Sequence, residues 1–252
     1  MLATSTFRKV RWSLYVILAI IVVIEVSRAY PFLIADRYFD YQVNYGPYHI
    51  RSDEVIDHEV YRVFDEVSDR LSIFRDSDTD KPYDIFLCGD QQLYGRFAKI
   101  TGRSAQTQGF NLLPLKKIFI NLTYIDVIHS QNENEKYQYN LLDGDPAHIV
   151  AHEIVHGWIQ DELGYWKARK LDTWKREGYC EYVASKKVKL EDPEYSLEQS
   201  IEDFKSGYFS DISPELMIYI KGEMMVEQLM EEGEMSFVEL VDTKINLETI
   251  LD

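Results

Sequence analysis

Cysteine is nearly absent from the chain, and basic residues are scarce. Only two of the 252 residues are cysteine, Cys88 and Cys180, which excludes a disulfide-rich scaffold and a cysteine-based metal framework. The two cysteines either pair in an oxidising compartment or remain separate buried thiols, and we favour separate thiols. Lysine and arginine total 27 against 43 aspartate and glutamate residues. Because no basic stripe interleaved with aromatic residues occurs, we exclude a nucleic-acid partner.

The chain has one long apolar run, and it lies at the N-terminus. Residues 14–24 are apolar without interruption, and the segment 7–11 before them carries three basic residues. A basic flank followed by an apolar run is typical of a signal peptide or of a membrane anchor. We expect residues 1–29 to form an uncleaved N-terminal anchor helix whose basic flank stays in the cytoplasm.

Cleavage after Ala29 is the alternative, since Ser27 and Ala29 have the small side chains that signal peptidase requires. Glu25 and Arg28 disfavour it, because they place charge close to that position. In both cases residues 30–252 are exported, so the protein is either membrane-anchored with this part outside the cytoplasm or secreted. The excess of acidic residues fits a soluble extracytoplasmic domain, with attraction of a cationic substrate as the alternative.

The pattern along residues 30–252 places strands before helices. Alternation predicts a strand at 47–51, and apolar runs predict strands at 83–88 and 115–122. A helical period predicts helices at 54–74, 91–99, 145–164, 172–189 and 214–232, the first of them capped by Ser52 or Asp53. Pro114 precedes the third strand and favours an edge position for it. The polar segment 130–142 separates a small strand-rich lobe, 30–142, from an α-helical lobe, 143–252. This arrangement predicts an α+β fold.

The stretch 152–156 reads HEIVH and is the most specific signal in the chain. On a helix, His152 and His156 lie about 40° apart around the axis, so both imidazoles point at the same place. Glu153 flanks that place, where a carboxylate holds an attacking water and accepts its proton. We therefore predict a Zn²⁺ site with both histidines as ligands. His148, one turn earlier, is either a surface residue at the helix start or a substrate contact at the cleft edge.

A tetrahedral zinc ion that keeps one open position needs a third protein ligand. Glu177 is the candidate, because it lies about twenty residues after His156, far enough for the chain to reverse at Gly164 and return on a second helix. Glu181 follows one turn later on the same face and is placed to accept the free ring N–H of a zinc-bound histidine. The alternative is that both glutamates lie on a solvated helix face.

The segments HEIVHGW and WKREGYCEY together resemble the gluzincin metallopeptidases, in which an HExxH helix is followed by a helix with a glutamate ligand. They are most similar to the zinc aminopeptidase branch, with its HExxHxW and WxxEG segments. The thermolysin-like branch similarly has an acidic residue four positions after the ligand, as at Glu181. The segment 219–225, YIKGEMM, is similar to the aminopeptidase YxKG segment. That similarity implies that Tyr219 donates a hydrogen bond to the oxyanion, with a core tyrosine as the alternative.

The chain departs from the aminopeptidases at one important strand. Those enzymes carry a GxMEN edge strand whose glutamate binds the free amino group of the substrate, but residues 109–121 contain no acidic residue. We also expect neither the large N-terminal β domain nor the C-terminal helical domain of those enzymes. The resemblance therefore implies a minimal gluzincin, thermolysin-like catalytic domain that cleaves peptide bonds, without implying that it removes N-terminal residues.

Taken together, these patterns predict a membrane-anchored zinc metallopeptidase acting on peptide or protein substrates. We expect an endopeptidase, with an edge strand near 116–121 lining the cleft. One alternative is a non-catalytic, peptidase-like binding module at the membrane, which is disfavoured because Glu153 and all three predicted ligands are retained. The other is a zinc aminopeptidase that holds the substrate amine with another carboxylate.

Overall fold

The computed structural model describes residues 3–74, 82–123, 145–210 and 212–246. The polar segment predicted to separate two lobes, 130–142, lies outside these ranges. The described part has a mixed α/β architecture, with one sheet in its first half and one apolar helix at its N-terminus.

A five-stranded mixed sheet forms the first half of the fold. Its strands span Tyr41–Tyr45 (β1), Tyr48–Ser52 (β2), Tyr83–Cys88 (β3), Gly109–Leu112 (β4) and Lys117–Asn121 (β5). Their order across the sheet is β1-β2-β3-β5-β4. The three central strands run parallel, and the two edge strands run antiparallel to their neighbours.

The edge of the sheet differs from the prediction. The sequence predicts β2, β3 and β5, but it misses β1, which lies in a tyrosine-rich segment, and β4, which has only four residues. The edge position predicted for the strand 115–122 is wrong, because β5 lies between β3 and β4. Pro114 does not enter the ladder, since it belongs to the 3₁₀ turn Leu113–Leu115 that joins β4 to β5.

The second half of the described fold is helical, in agreement with the predicted order of strands before helices. The α-helices span Ala3–Leu33 (α1), His58–Ser72 (α2), Gln91–Ile100 (α3), Pro146–Leu163 (α4), Tyr165–Lys170 (α5), Thr173–Glu191 (α6), Leu197–Lys205 (α7), Pro214–Glu231 (α8) and Phe237–Asp242 (α9). Every described strand ends by Asn121, and the six helices α4–α9 follow it.

Helix α4 begins and ends where the sequence predicts. The Asp145 carboxylate accepts hydrogen bonds from the backbone N–H groups of Ala147 and His148, at 2.9 and 3.3 Å, and Pro146 occupies the first turn. Gly164 follows the last turn with φ of 75°, a conformation that favours glycine.

Helix α2 starts later than the predicted residue 54. The predicted cap was Ser52 or Asp53, but the helix is capped by Asp57. Ser52 is the last residue of β2, and the Asp53 carboxylate accepts hydrogen bonds from the backbone N–H groups of Gly89 and Asp90, at 2.7 and 2.9 Å. Both residues are therefore engaged at the end of the sheet.

The alternation of side chains along the strands divides the core into two parts. Ile85 and Leu87 of β3 point to the face covered by α2, α4 and α6, whereas Phe86 and Cys88 point to the phenylalanine-rich face covered by α3. Cys180 belongs to the first part, and both cysteines are free and buried. The preference for two separate buried thiols is thereby confirmed.

Helix α1 ends inside the phenylalanine-rich part of the core. By length and composition its segment Leu14–Leu33 is able to cross a membrane, with a mean hydropathy of 2.1. Phe32 is buried and packs against Phe97, with ring centroids 5.5 Å apart. Lys117 Nζ donates a hydrogen bond to the Phe32 backbone oxygen at 3.0 Å. The helix therefore joins the folded domain without a linker.

Candidate metal centre

Helix α4 carries the HEIVH motif through the middle of the fold. It packs against α2, α6 and β4, so most side chains between residues 147 and 159 are buried. Gly157, directly after the motif, allows the helix to lie close to the sheet, because a Cβ at this position would be 2.8 Å from Tyr83 Oη. The side chains of His152 and His156 contact α6.

Helix α6 brings the predicted third ligand to the two histidines. The chain leaves α4 at Gly164, turns through the short helix α5, and enters α6 after Asp172. The two long helices pack against each other along their length. This reversal, which was predicted from the spacing of the two motifs, places Glu177 in contact with both histidines.

The three predicted ligand atoms form a compact triangle. His152 Nε2 and His156 Nε2 are 3.1 Å apart, and Glu177 Oε2 lies 3.4 Å from the first nitrogen and 3.2 Å from the second. Ligands about 2.0–2.1 Å from a tetrahedral zinc ion are about 3.3–3.4 Å from one another, which is the edge length of the tetrahedron. The residues present therefore fit a zinc ion that keeps its fourth position open.

Glu153 lies next to the first ligand with an unused acceptor atom. Its side chain is 8% exposed, and its Oε2 has no hydrogen-bond partner among the described residues. A buried carboxylate oxygen is costly to leave unpaired, so a water or a cation is expected there. The Glu153 backbone oxygen accepts a hydrogen bond from Asn111 Nδ2 at 2.6 Å. The edge strand β4 thus holds this turn of α4 in place.

Glu181 connects His152 to a third histidine. Its Oε1 lies 2.6 Å from His152 Nδ1, and its Oε2 is 2.7 Å from His148 Nε2. The contact with His148 is a charge-assisted hydrogen bond and the contact with His152 is a close ion pair, and both separations are too short for two ligands of one metal ion. Glu181 therefore holds the ring of His152 from its Nδ1 side, in the place that the sequence predicts, and leaves Nε2 directed at the triangle.

His148 is buried behind the triangle, so both positions predicted for it are wrong. It is 1% exposed and lies neither on the surface nor at a cleft edge. Helix α4 enters the core in its first turn, because its cap Asp145 forms a 2.5 Å ion pair with the buried guanidinium of Arg70. The signal in the sequence was the four-residue interval from His148 to His152, which puts both rings on one face.

The buried carboxylates of this centre stay ionised because histidines surround them. Burial alone would raise the pKa of Glu181, but His148 and His152 outweigh it and lower the pKa to about 2. The same balance, with His156 and His152 as neighbours, holds the pKa of Glu177 well below its usual range. Burial would lower the pKa of His152, but Glu181 and Glu177 outweigh burial and raise it. The centre therefore attracts positive charge.

Cys180 contacts His156, the second predicted ligand, and the sequence did not predict this contact. Its Sγ lies 3.3 Å from His156 Nδ1. The sulfur is close enough to His152 and His156 to form a metal-binding group with them. However, it faces Nδ1 of the His156 ring, whereas Glu177 faces Nε2, and one ion cannot occupy both sides of the ring. Cys180 therefore orients His156, and burial followed by the Glu177 charge raises the pKa of its thiol.

Tyr219 of α8 lies beside the first ligand. The ring centroids of Tyr219 and His152 are 6.1 Å apart. Burial, followed by the charges of Glu177 and Glu153, raises the pKa of the Tyr219 phenol. The hydroxyl therefore remains a neutral hydrogen-bond donor at physiological pH.

Two glycines allow α6 and α8 to approach closely. A Cβ at Gly178 would lie 2.3 Å from the carbonyl carbon of Gly222, and a Cβ at Gly222 would lie 2.7 Å from the Trp174 backbone oxygen. Both glycines belong to the segments that carry the family resemblance, directly after Glu177 and three residues after Tyr219. Their backbone contact is what brings these two side chains to one site.

The cations of the 109–121 stretch are engaged away from the triangle. Lys116 Nζ pairs with Asp161 at 2.6 Å, and Lys117 Nζ binds the C-terminal end of α1. In the part of the chain that the structure describes, the cation that reaches a predicted ligand is Arg176, whose Nε and one terminal nitrogen are both 2.8 Å from Glu177 Oε1. Arg176 thus occupies one carboxylate oxygen and leaves Oε2 directed at the histidines.

The structure brings the sequence-predicted site residues together: His152, Glu153, His156, Glu177, Glu181 and Tyr219. Sequence reasoning missed the contacts of His148, Cys180 and Asn111. A comparison of this chain with models of known protein families gives no match, and a comparison with curated proteins gives none either. The function is therefore inferred from the geometry and chemistry of the site.

Proposed function

We propose that this chain is a zinc-dependent peptidase with a minimal gluzincin architecture. The observation that carries the proposal is the triangle of His152, His156 and Glu177, whose ligand atoms lie 3.1, 3.2 and 3.4 Å apart. Two imidazoles and one carboxylate with an open position are typical of catalytic rather than structural zinc sites. A zinc ion held there supplies Lewis acidity, which polarises the scissile carbonyl and lowers the pKa of the attacking water.

Glu153 is the general base in this proposal. Its buried Oε2, which has no partner in the described part of the chain, is an acceptor that the attacking water can use. The carboxylate takes the proton of that water and then passes it to the leaving amine. Tyr219, kept neutral by burial and by the neighbouring carboxylates, donates a hydrogen bond to the negative charge that develops on the carbonyl oxygen.

We propose cleavage of internal peptide bonds because the site glutamates are already engaged. Glu177 and Glu181 contact histidines, and Glu153 serves the attacking water. Among the described residues β4 is an edge strand, and it has no acidic side chain, so it offers backbone hydrogen bonds to an extended peptide but no partner for a terminal ammonium. An aminopeptidase remains the alternative, and a buried ammonium without an anionic partner would be costly.

The endopeptidase proposal is tested with one peptide that has either a free or an acetylated N-terminus. We expect both forms to be cleaved at the same internal bond. Release of single N-terminal residues from the free peptide, with no cleavage of the acetylated one, would show an aminopeptidase instead.

We propose that α1 anchors the protein in a membrane, with the metal centre outside the cytoplasm. The support is the basic segment 7–11 before the apolar run, together with the acidic domain after it. Secretion after cleavage behind Ala29 is the alternative. In untreated cells the protein should be found in the membrane fraction. Protease added to intact cells should degrade the domain, and protection of the domain until the cells are lysed would contradict this orientation.

The substitution Glu153→Gln tests the catalytic proposal. The amide keeps the shape of the side chain but cannot accept a proton, so we expect turnover to fall by roughly 10²–10⁴-fold while zinc stays bound. Glu227→Gln is the matched control, because Glu227 is also a buried glutamate, 2% exposed against 8% for Glu153, in another part of the helical region. Unchanged cleavage by Glu153→Gln would exclude this mechanism, and absence of cleavage by the zinc-loaded parent chain would favour the binding-module alternative.

A further inference from the structure

We propose that the folded domain rests directly on the lipid headgroups through a membrane seat formed by Tyr30, Leu33, Tyr38 and Tyr41. The inference rests on the proposed membrane anchor. It adds that the folded domain contacts the bilayer surface and is not held away from it by a flexible linker. The partner is the headgroup layer of the same bilayer that α1 crosses.

The four seat residues are exposed large side chains close together in the sequence. Their exposed fractions are 53% for Tyr30, 58% for Leu33, 44% for Tyr38 and 42% for Tyr41. They fall within one short stretch of chain, whereas the other strongly exposed large apolar side chains after α1 are scattered singly: Val55, Ile73, Trp166, Leu190, Tyr208 and Val238. Scattered residues need no explanation, but a cluster at the end of an apolar helix does.

The seat cannot move away from the end of α1, because that end is part of the core. Phe32, between two seat residues, packs against Phe119 with ring centroids 5.7 Å apart. Tyr38 packs edge-on against Phe97, the same ring that contacts Phe32, at 5.9 Å. Asp36 between them pairs with Lys117 at 3.3 Å. The C-terminal end of α1 and the folded domain therefore pack together as one unit.

The apolar segment is just long enough to cross the hydrocarbon layer, so no residues remain to separate the domain from the bilayer. The segment Leu14–Leu33 has 20 residues, of which two, Glu25 and Arg28, are charged and lie toward its domain end. At 1.5 Å per residue this is about 30 Å, the thickness of the hydrocarbon layer, so Phe32 lies at the boundary between hydrocarbon and headgroups. The domain that encloses Phe32 must then touch the headgroup layer.

The chemistry of the seat fits that layer. Tyrosine has an apolar ring and a polar hydroxyl, and it is enriched where membranes meet water. The other end of the apolar segment has a similar pair, Trp12 and Tyr15, with ring centroids 6.4 Å apart. Aromatic side chains thus mark both ends of the span, and on the domain side they extend onto the folded surface through Tyr38 and Tyr41.

The proposal is tested with the full chain in phosphatidylcholine vesicles that contain a headgroup spin-labelled lipid as quencher. A thiol-reactive fluorophore is placed at Tyr38→Cys or Tyr41→Cys, and at Tyr208→Cys as the matched control. Tyr208 is also an exposed tyrosine, but it lies after α7. The native Cys88 and Cys180 are fully buried, so the label goes to the introduced residue.

We expect the fluorophores at positions 38 and 41 to lose most of their emission to the lipid quencher, and the one at 208 to keep most of it. Position 41 keeps the test valid if Tyr38→Cys, which removes a contact with Phe97, fails to fold. Equal, weak quenching at all three positions in a protein that floats with the vesicles would overturn the seat while the anchor stands. A protein that does not float with the vesicles would overturn both.

Discussion

The helical region contains two clusters of charged side chains built around buried glutamates, and the charges of these glutamates are balanced in opposite ways. The metal cluster combines acids with histidines: His148, His152, Glu153, His156, Glu177 and Glu181. The lysine cluster, between α6 and α8, combines acids with lysines: Lys186, Lys189, Glu223, Glu227 and Glu231. Both contain glutamates in the interior, where ionised carboxylates are costly unless they are paired.

In the lysine cluster the cations are part of the protein. Lys189 Nζ lies 2.8 Å from Glu223 Oε1 and 2.7 Å from Glu227 Oε2. The Tyr195 hydroxyl donates a hydrogen bond to Glu227 at 2.6 Å, and the Ser185 hydroxyl donates one to Glu223. Its inner carboxylates have partners in the chain, so the cluster needs no ligand.

In the metal cluster three ligand atoms converge on one place that no lysine reaches in the described part of the chain. The cation nearest to them, Arg176, binds the outer oxygen of Glu177. Glu153 Oε2 has no partner among the described residues. The comparison shows how a structural ion-pair network differs from a candidate cation site. In the network, lysine side chains lie between the carboxylates. In the candidate cation site, the imidazole nitrogens and the carboxylate oxygen face one another.

Lys189→Met tests whether the lysine cluster is purely structural. The substitution removes the lysine that lies within 2.8 Å of both Glu223 and Glu227, so we expect a loss of about 3–5 kcal/mol in the free energy of unfolding. Zinc affinity should not change. Chemical denaturation and zinc titration measure the two quantities, with the exposed Lys205→Met as control. A loss of zinc binding in folded Lys189→Met would show that the two clusters are coupled.

The stability of the metal-free protein should depend on acid through Glu181. Its pKa is lowered from 4.5 to about 2 in the folded state, so its contribution is present above pH 4.5 and is lost as the pH falls through about 2. The shift corresponds to a contribution on the order of 3 kcal/mol. Urea unfolding between these pH values measures this change in the free energy of unfolding. Glu181→Gln should flatten the profile, and an equally steep profile in that variant would assign the dependence to other groups.

His148→Asn should weaken zinc binding although His148 does not touch the ion. The substitution removes the ring that holds Glu181, and loss of such outer partners typically lowers metal affinity by roughly 10–100-fold. His58→Asn is the matched control, because the His58 side chain is 88% exposed. Competition with a chelator measures both affinities. Equal affinities in the two variants would mean that Glu181 orients His152 without help from His148.

The sequence predicts those parts of the fold whose signals are local. Asp145, Pro146 and Gly164 mark the ends of α4 through cap and turn chemistry, and the structure has them there. Strand β4 was missed because four residues are too few for an alternation to show. The edge position of residues 115–122 was predicted wrongly, since the proline before them lies in a turn and strand order depends on contacts distant in sequence.

The same limit applies to the candidate site. The ligands follow from spacing on two helices, which is a local property. The burial of His148 depends on the ion pair between Asp145 and Arg70 of α2, and the contact of Cys180 depends on how α6 packs against α4. The interval from His148 to His152 shows that the two rings share a face, but neither the Asp145–Arg70 ion pair nor the Cys180 contact has a period or motif in the sequence.

The most direct test of the central claim is the zinc content of the purified full chain and of two glutamine variants. We expect about one zinc ion per wild-type chain and per Glu227→Gln chain after zinc supplementation, and almost none in Glu177→Gln, because only Glu177 completes the triangle. Elemental analysis of the three proteins gives the answer. Less than about a tenth of a zinc ion per wild-type chain, or equal zinc in all three, would contradict the assignment of this site.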